Sequence, residues 1–123
     1  MYSINEVNDM LDEIASELPA ELFRDLNGGV CLLTEAKRSE GDPYNRLYTL
    51  GEYRRDQMGR YIVIYYGSIC AVHGNDTPEE LRRNLRKLLS HELTHHMESL
   101  SGERGLEIKD RIKMEEYLSG FDF

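Results

Sequence analysis

Residues 75–102 read NDTPEELRRNLRKLLSHELTHHMESLSG, and this stretch predicts one long helix. Residues 77–80 supply a capping hydroxyl, a proline suited to the first helical position and the glutamate of a capping box. Leucines then recur at helical spacing, at positions 81, 85, 88 and 89. The next glycine or proline is Gly102, where we expect the helix to stop. The predicted helix therefore runs from about residue 78 to about 101.

The second half of this helix carries His91-Glu92-Leu93-Thr94-His95-His96, which contains the HExxH pattern of zinc hydrolases. On a helix, His91 and His95 lie one above the other, so both imidazoles can reach one metal ion. Glu92 lies about 100° round the helix from His91, where it can lean toward a metal-bound water. We therefore predict Zn²⁺ as the cofactor, His91 and His95 as metal ligands, and Glu92 as the general base.

Catalytic zinc normally takes a third protein ligand, and the sequence offers several carboxylates for that position. Glu103 follows directly after the expected helix end and is the favoured candidate. Asp110 and Glu107 lie slightly further along the chain and remain alternatives. Glu98 shares the face of the two histidines, but it lies about 10 Å along the helix axis from His91, which is far for one zinc ion.

The other histidines and the tyrosines are expected to play supporting roles. His96 points about 100° away from its neighbour His95, which favours packing, or support of a ligand residue, over ligation. His73 precedes Gly74 in the turn before the long helix, and we expect it to face solvent. Three tyrosines could donate to an oxyanion, although core packing is favoured for each: Tyr65, Tyr66 and Tyr117.

Length and composition indicate one domain spanning residues 1–123, and the order of its predicted helices and strands, given below, makes the domain α+β. Hydrophobic content of 40% and charged content of 31% are typical of a soluble globular protein. The chain carries 23 acidic and 15 basic side chains, a formal net charge of −8, which argues against nucleic acid as a partner. A basic cluster in the long helix is therefore predicted to be a solvated face: Arg82, Arg83, Arg86 and Lys87.

The compartment is predicted from targeting signals and cysteines. The N-terminus has no signal-peptide pattern, and the longest apolar run, residues 61–66, is too short to cross a bilayer. We therefore expect cytoplasmic residence and no membrane partner. Cys31 and Cys70 each stand alone without a CxxC motif, which favours buried thiols over metal ligands or a disulfide.

The rest of the chain predicts further helices and a small sheet. Ser3 and Glu6 form a second capping box, followed by apolar residues at helical spacing to Leu18. The other elements follow from turn residues and apolar runs. They are a short helix from Pro19 to near Asn27, strands at Val30–Thr34, Leu47–Arg54 and Arg60–Tyr66, a loop at residues 37–45, and a helix at Asp110–Ser119.

The chain resembles the small bacterial zincin-like metallopeptidases. Three features carry the resemblance: the HExxHH helix at residues 91–96, the apolar strand upstream of it, and Leu50-Gly51-Glu52-Tyr53. The resemblance implies a minimal zincin fold, in which a small mixed sheet packs on the active-site helix beside a cleft, with zinc and peptidase activity. Many members place a glycine three residues after the second histidine and an acidic residue three beyond. Here those positions hold Glu98 and Ser101.

Two functions remain open from the sequence. The first is a zinc metallopeptidase that cleaves peptides or unfolded protein segments, with the strand Tyr61–Tyr66 pairing with substrate if it lies at a sheet edge. The second is a non-catalytic zinc-binding adaptor or structural module, which would tolerate loss of the Glu92 carboxylate. The sequence carries no signal for the oligomeric state.

Overall fold

The structure is a computed structural model that describes residues 2–39 and 47–104, and the side chains up to Gly102. The elements follow in chain order. They are helix α1 (Ile4–Glu17), a 3₁₀ helix (Ala20–Phe23), strands β1 (Gly29–Leu33), β2 (Lys37–Arg38), β3 (Tyr48–Thr49), β4 (Gly51–Asp56) and β5 (Gly59–Tyr65), and helices α2 (Tyr66–His73) and α3 (Pro78–Arg104).

Helix α1 begins at the predicted capping box. The Ser3 hydroxyl accepts the Glu6 N–H at 3.1 Å, and the Glu6 carboxylate accepts the Ser3 N–H at 2.9 Å. Apolar residues three and four apart then place Val7, Leu11 and Ile14 on one buried face. This face lies in the same apolar cluster as α3 and the sheet, so α1 closes one side of the core.

The main sheet is mixed and has the order β1-β5-β4. Strand β1 runs parallel to β5, whereas β4 runs antiparallel to it through the hairpin at residues 56–59. The prediction that the apolar strand is covered on both faces is confirmed, because Ile62, Val63, Ile64 and Tyr65 are all at most 2% exposed. The expectation that this strand could pair with a substrate at a sheet edge is wrong, because β5 is the central strand and β4 lies at the edge.

Helix α3 packs on this sheet and contributes six buried apolar residues to the core. Its buried face consists of Leu81, Leu85, Leu89, Leu93, Met97 and Leu100. The helix begins as predicted, since the Thr77 hydroxyl accepts the Glu80 N–H at 3.2 Å and the Glu80 carboxylate accepts the Thr77 N–H at 2.9 Å. The predicted stop at Gly102 is wrong, because the helix continues to Arg104. One glycine costs a helix only about 1 kcal/mol, which does not end a helix that is anchored by its core face.

Three local predictions differ from the structure. Tyr66 is the first residue of helix α2 and not the end of β5. The loop prediction for residues 37–45 misses β2, which pairs antiparallel with β3. The predicted strand Leu47–Arg54 is two strands, β3 and β4, separated at Leu50. The predicted helix Asp110–Ser119 lies outside the described residues.

Two of the four basic residues in this cluster on α3, Arg82 and Arg86, form ion pairs with α1. Arg82 pairs with Glu13 at 2.6 Å and also with Glu17, and Arg86 pairs with Glu17. These exposed pairs contribute roughly 0–1 kcal/mol each, so they orient the two helices more than they stabilise them. The predicted solvated face is therefore partly an interhelical contact.

The small mixed sheet packed on one long helix confirms the α+β class expected from the sequence. No helix within residues 2–39 and 47–104 is both long enough and apolar enough to cross a membrane.

Removal of the Thr77 cap provides a test of how α3 begins. We expect Thr77→Ala to lower the free energy of unfolding by about 1 kcal/mol, because the Glu80 N–H loses its acceptor. Thr77→Ser keeps the hydroxyl and should retain most of the stability. Urea unfolding of both variants, at unchanged m-value, measures the difference. Equal midpoints for the two variants would contradict the capping role.

Candidate metal centre

His91 and His95 lie on the solvent side of α3 and face each other. Their Nε2 atoms are 3.1 Å apart, and the two rings meet nearly perpendicularly, with centroids 4.6 Å apart. Two imidazole nitrogens that share one tetrahedral zinc at about 2.0–2.1 Å are separated by about 3.4 Å. The structure therefore brings the two predicted ligands to a spacing that fits one metal ion.

Glu92 completes this cluster from the buried side. Potential ligand atoms of His91, Glu92 and His95 all lie within 4.8 Å of one another. Glu92 is only 5% exposed, and its carboxylate lies close to the backbone N–H of Tyr53 on β4. Burial raises the pKa of Glu92 above its ordinary value, although the neighbouring histidines and the Tyr53 N–H partly oppose that rise. A raised pKa suits a group that must take up a proton near neutral pH.

The outer edge of β4 faces this carboxylate. In an antiparallel ladder, alternate residues direct both peptide groups toward the partner strand. The Tyr65 N–H donates to the Leu50 carbonyl at 2.9 Å, so even-numbered residues of β4 turn toward β5. The peptide groups of Gly51, Tyr53 and Arg55 consequently point outward. The middle one of these three N–H groups, that of Tyr53, lies close to Glu92.

An open cleft of about 720 Å³ lies between β4 and α3. This volume is within the usual range for a ligand-binding cleft. Residues of both elements line this cleft. They are Gly51, Glu52, Tyr53 and Arg55 of β4, and His91, Glu92, His95, Glu98 and Ser99 of α3. Gly51 permits this close approach, because a Cβ there would come within 3.0 Å of Ile64 and 3.2 Å of Leu88.

Glu52 is a cleft residue to which the sequence interpretation assigned no role. Its carboxylate binds Lys37, accepts a hydrogen bond from Arg54 Nε at 3.1 Å and accepts the Tyr65 hydroxyl at 3.2 Å. Burial alone would raise the pKa of Glu52, but the hydrogen bonds from Lys37 and Arg54 outweigh it and hold that pKa below its ordinary value. Glu52 therefore remains ionised and bound to its own cations. In the sequence, the element Leu50-Gly51-Glu52-Tyr53 points to this segment, but it does not predict the contacts that Glu52 makes.

Of the predicted candidates for the third ligand, the structure describes the side chain of Glu98 alone. Glu98 lies 3.9 Å from Nδ1 of His95, on the opposite side of the ring from the Nε2 that faces His91. That position suits orienting the imidazole better than sharing its metal. Glu103 does not follow a helix end at Gly102, because α3 continues to Arg104. On a continuous helix Glu103 lies about 12 Å along the axis from His95.

The identity of the third ligand therefore remains a prediction. The side chain of Glu103 lies outside what the structure describes, as do Glu107 and Asp110. The described part of the chain adds no further carboxylate to the cluster of His91, Glu92 and His95.

His96 is fully buried and has the packing role expected from its direction on the helix. Its Nε2 lies 2.6 Å from the Arg24 carbonyl and its Nδ1 lies 2.9 Å from the Tyr53 hydroxyl. A carbonyl only accepts, so Nε2 carries the proton and Nδ1 accepts from Tyr53. Burial lowers the pKa of His96, which keeps the ring neutral.

The remaining candidates lie away from the cleft or in the core. His73 does not face solvent as expected: it is half-buried, and its Nδ1 lies 2.8 Å from Asp76. Tyr66 donates its hydroxyl to the Tyr2 carbonyl at 2.6 Å, which is a packing role. Cys31 and Cys70 are free thiols, as predicted, although both are only half-buried. Tyr117 lies outside the described residues.

Comparison with known proteins supports the fold without assigning a function. No protein-family model and no curated protein matches the chain. Among solved structures, the chain is similar to a conserved hypothetical protein from Thermo thermophilus. The two are 29% identical, with a TM-score of 0.68 over 81% of this chain and 98% of that chain. Nearly the whole of that protein therefore shares this arrangement of sheet and helices.

Proposed function

We propose that this protein is a zinc-dependent metallopeptidase with a minimal zincin-like fold. The observation that carries the proposal is the pairing of His91 and His95, with Nε2 atoms 3.1 Å apart, directly beside a buried Glu92 in an open cleft. Two exposed nitrogens and one desolvated carboxylate are the groups that metal-assisted hydrolysis requires. The sequence resemblance to zincin-like peptidases supports the same function.

Each residue of the cluster has a separate task in this mechanism. His91 and His95 would hold the zinc, which when bound acidifies water and polarises a substrate carbonyl. Glu92 accepts a proton from the attacking water and passes it to the leaving amine. The nearby Tyr53 N–H favours the ionised form of the Glu92 carboxylate. The ionised carboxylate has lone pairs that can accept from water.

The substrate class follows from the edge strand. On either side of Tyr53, the peptide groups of Gly51 and Arg55 point toward the cleft side of β4, as the ladder register requires. An extended peptide can add to such an edge as a further strand, which fixes its backbone beside the metal ligands. We therefore propose peptides or unfolded protein segments as substrates. We propose that β4 pairs with them, whereas the sequence predicts residues 61–66 for this role.

The alternative of a non-catalytic zinc module is less well supported. Structural zinc sites are normally closed by four protein ligands, whereas this cluster opens onto a cleft. Cytoplasmic residence stays part of the proposal. It is supported by the two unpaired cysteines, which are typical of a reducing compartment.

The proposal is tested by incubating the zinc-loaded chain with a broad peptide library and mapping new termini by mass spectrometry. We expect cleavage that stops when a chelator removes the metal and returns when zinc is added back. Protein that holds one zinc per chain and cleaves nothing across the library would contradict the peptidase and favour the zinc module.

A further inference from the structure

Strand β4 presents different side chains on its two faces. The Tyr53 hydroxyl lies 2.9 Å from Nδ1 of His96, so Tyr53 directs its side chain toward α3. The Glu52 carboxylate lies on the opposite face, where it accepts from the Tyr65 hydroxyl at 3.2 Å. Because side chains alternate along a strand, Arg55 shares the face of Tyr53 and lies on the α3 side of β4.

The three residues of β4 on the α3 side differ in what they offer to the cleft. Gly51 has no side chain, and a Cβ there would come within 3.2 Å of Leu88. The Tyr53 side chain is directed at His96, a buried residue of α3. Arg55 is exposed and lines the cleft. Within the described lining of this cleft Arg55 is the one lysine or arginine, so this side of β4 offers a positive charge.

Two carboxylates of the cleft already have basic neighbours. Glu52 binds Lys37 and accepts from Arg54 Nε at 3.1 Å, on the face away from α3. Glu98 lies 3.9 Å from Nδ1 of His95. These contacts compensate part of the negative charge, so the carboxylates do not by themselves make the cleft selective for a basic peptide.

We propose that Arg55 is a specificity-determining residue that selects an aspartate or glutamate side chain in a peptide bound along β4. This inference rests on the proposed function, because it takes the substrate to be an extended peptide paired with the edge of β4. On a paired strand, the residue beside Arg55 directs its side chain to the same face, with the two Cβ atoms about 4.5–5.5 Å apart. A guanidinium can bind a carboxylate at that separation through two parallel hydrogen bonds.

The rise of a strand places the selected residue relative to the candidate metal centre. Tyr53 contacts His96, which follows the candidate ligand His95, so the metal centre lies near the level of Tyr53. Arg55 lies two residues further along β4, at a distance of about 7 Å. The selected acidic residue should therefore lie two positions from the peptide residue beside Tyr53, on one side of the cleaved bond only.

Peptide binding tests the proposal without any cleavage. The full chain carrying Glu92→Gln, which should leave peptides intact, is titrated with capped, extended peptides that differ in one residue. Glutamate, glutamine or lysine is moved through successive positions, and NMR shifts of the Gly51 and Arg55 amides report binding at β4. At one position we expect glutamate to bind more tightly than lysine, on the order of tenfold. Glutamate at the other positions should give no such gain.

Two variants of the same residue and one matched control complete the experiment. Arg55→Glu reverses the charge, so lysine should then bind more tightly than glutamate at that same position. Arg55→Gln removes the charge and should abolish the preference. Arg83→Glu makes the same change in net charge at an exposed arginine of α3 that does not line the cleft. It should leave the preference of the parent chain unchanged.

The proposal is overturned if peptides bind at β4 with the same preference in Arg55→Glu as in its parent, or if none binds there. Its failure is distinguishable from that of the peptidase. A wild type that cleaves peptides without enrichment of acidic residues at one position refutes the role of Arg55 and leaves the peptidase standing. A reversed binding preference, with no cleavage by the zinc-loaded wild type, supports Arg55 and refutes the peptidase.

Discussion

Replacing His91 and His95 together by alanine should abolish metal binding. We expect about one zinc per wild-type chain and none in the double variant. The loss in affinity should be well beyond the roughly 10–100-fold that follows when a residue supporting a metal ligand is removed, because both nitrogen ligands disappear. Mass-spectrometric metal analysis of protein purified without a metal-affinity tag measures the stoichiometry, and a zinc titration measures the affinity.

The matched control for this prediction is His73→Ala. His73 is also a helix residue with a carboxylate partner, Asp76, but it lies outside the cluster of His91, Glu92 and His95. It should therefore keep one zinc per chain. The double variant should remain folded, because His91 and His95 are exposed and contribute little to the core. A wild type that neither contains nor takes up zinc, or a double variant that binds it equally well, would refute the metal centre.

The parts of this site that could be predicted from the sequence are those set by local geometry. The spacing of His91 and His95 places both rings on one side of any helix, whatever the helix packs against. The capping boxes at Ser3 and Thr77 are equally local, since each closes within four residues. The α+β class followed from the same local patterns, taken together with the apolar run that became β5.

Contacts between distant parts of the chain could not be predicted in this way. The approach of the Tyr53 N–H to Glu92 brings together residues far apart in sequence, and it depends on β4 lying at the edge of the sheet. The apolar character of residues 61–66 correctly indicated burial, but it did not reveal which strand would flank the cleft. The sequence places Tyr66 in the strand because Tyr66 continues that apolar run. The turn into α2 depends on a distant contact, Gly67 N–H to Glu35.

The third metal ligand also could not be predicted from local sequence rules. Glu103 was favoured because glycine commonly ends helices, and this local rule failed at Gly102. Core residues such as Met97 and Leu100 anchor this part of α3, so burial outweighed the local preference of one glycine.

Replacing Glu92 by glutamine should lower kcat for peptide cleavage by about 10²–10⁴-fold while leaving the bound zinc in place. Glutamine keeps the shape of the side chain. It lacks the basic lone pair that takes the proton from water. Steady-state kinetics on a cleaved library peptide, with metal content measured on the same samples, tests this prediction.

The stability of Glu92→Gln shows whether any loss of activity is specific. Burial raises the pKa of Glu92 above its usual 4.5, so its ionised form is disfavoured in the folded state. That cost is absent below the unfolded-state pKa, grows between the unfolded-state and folded-state pKa values, and is complete above the folded-state pKa. In metal-free protein, Glu92→Gln should therefore be more stable than the wild type at pH 7. The gain should shrink toward acid pH. A more stable, zinc-loaded and inactive variant identifies Glu92 as the base, whereas wild-type turnover would assign that proton transfer to another group.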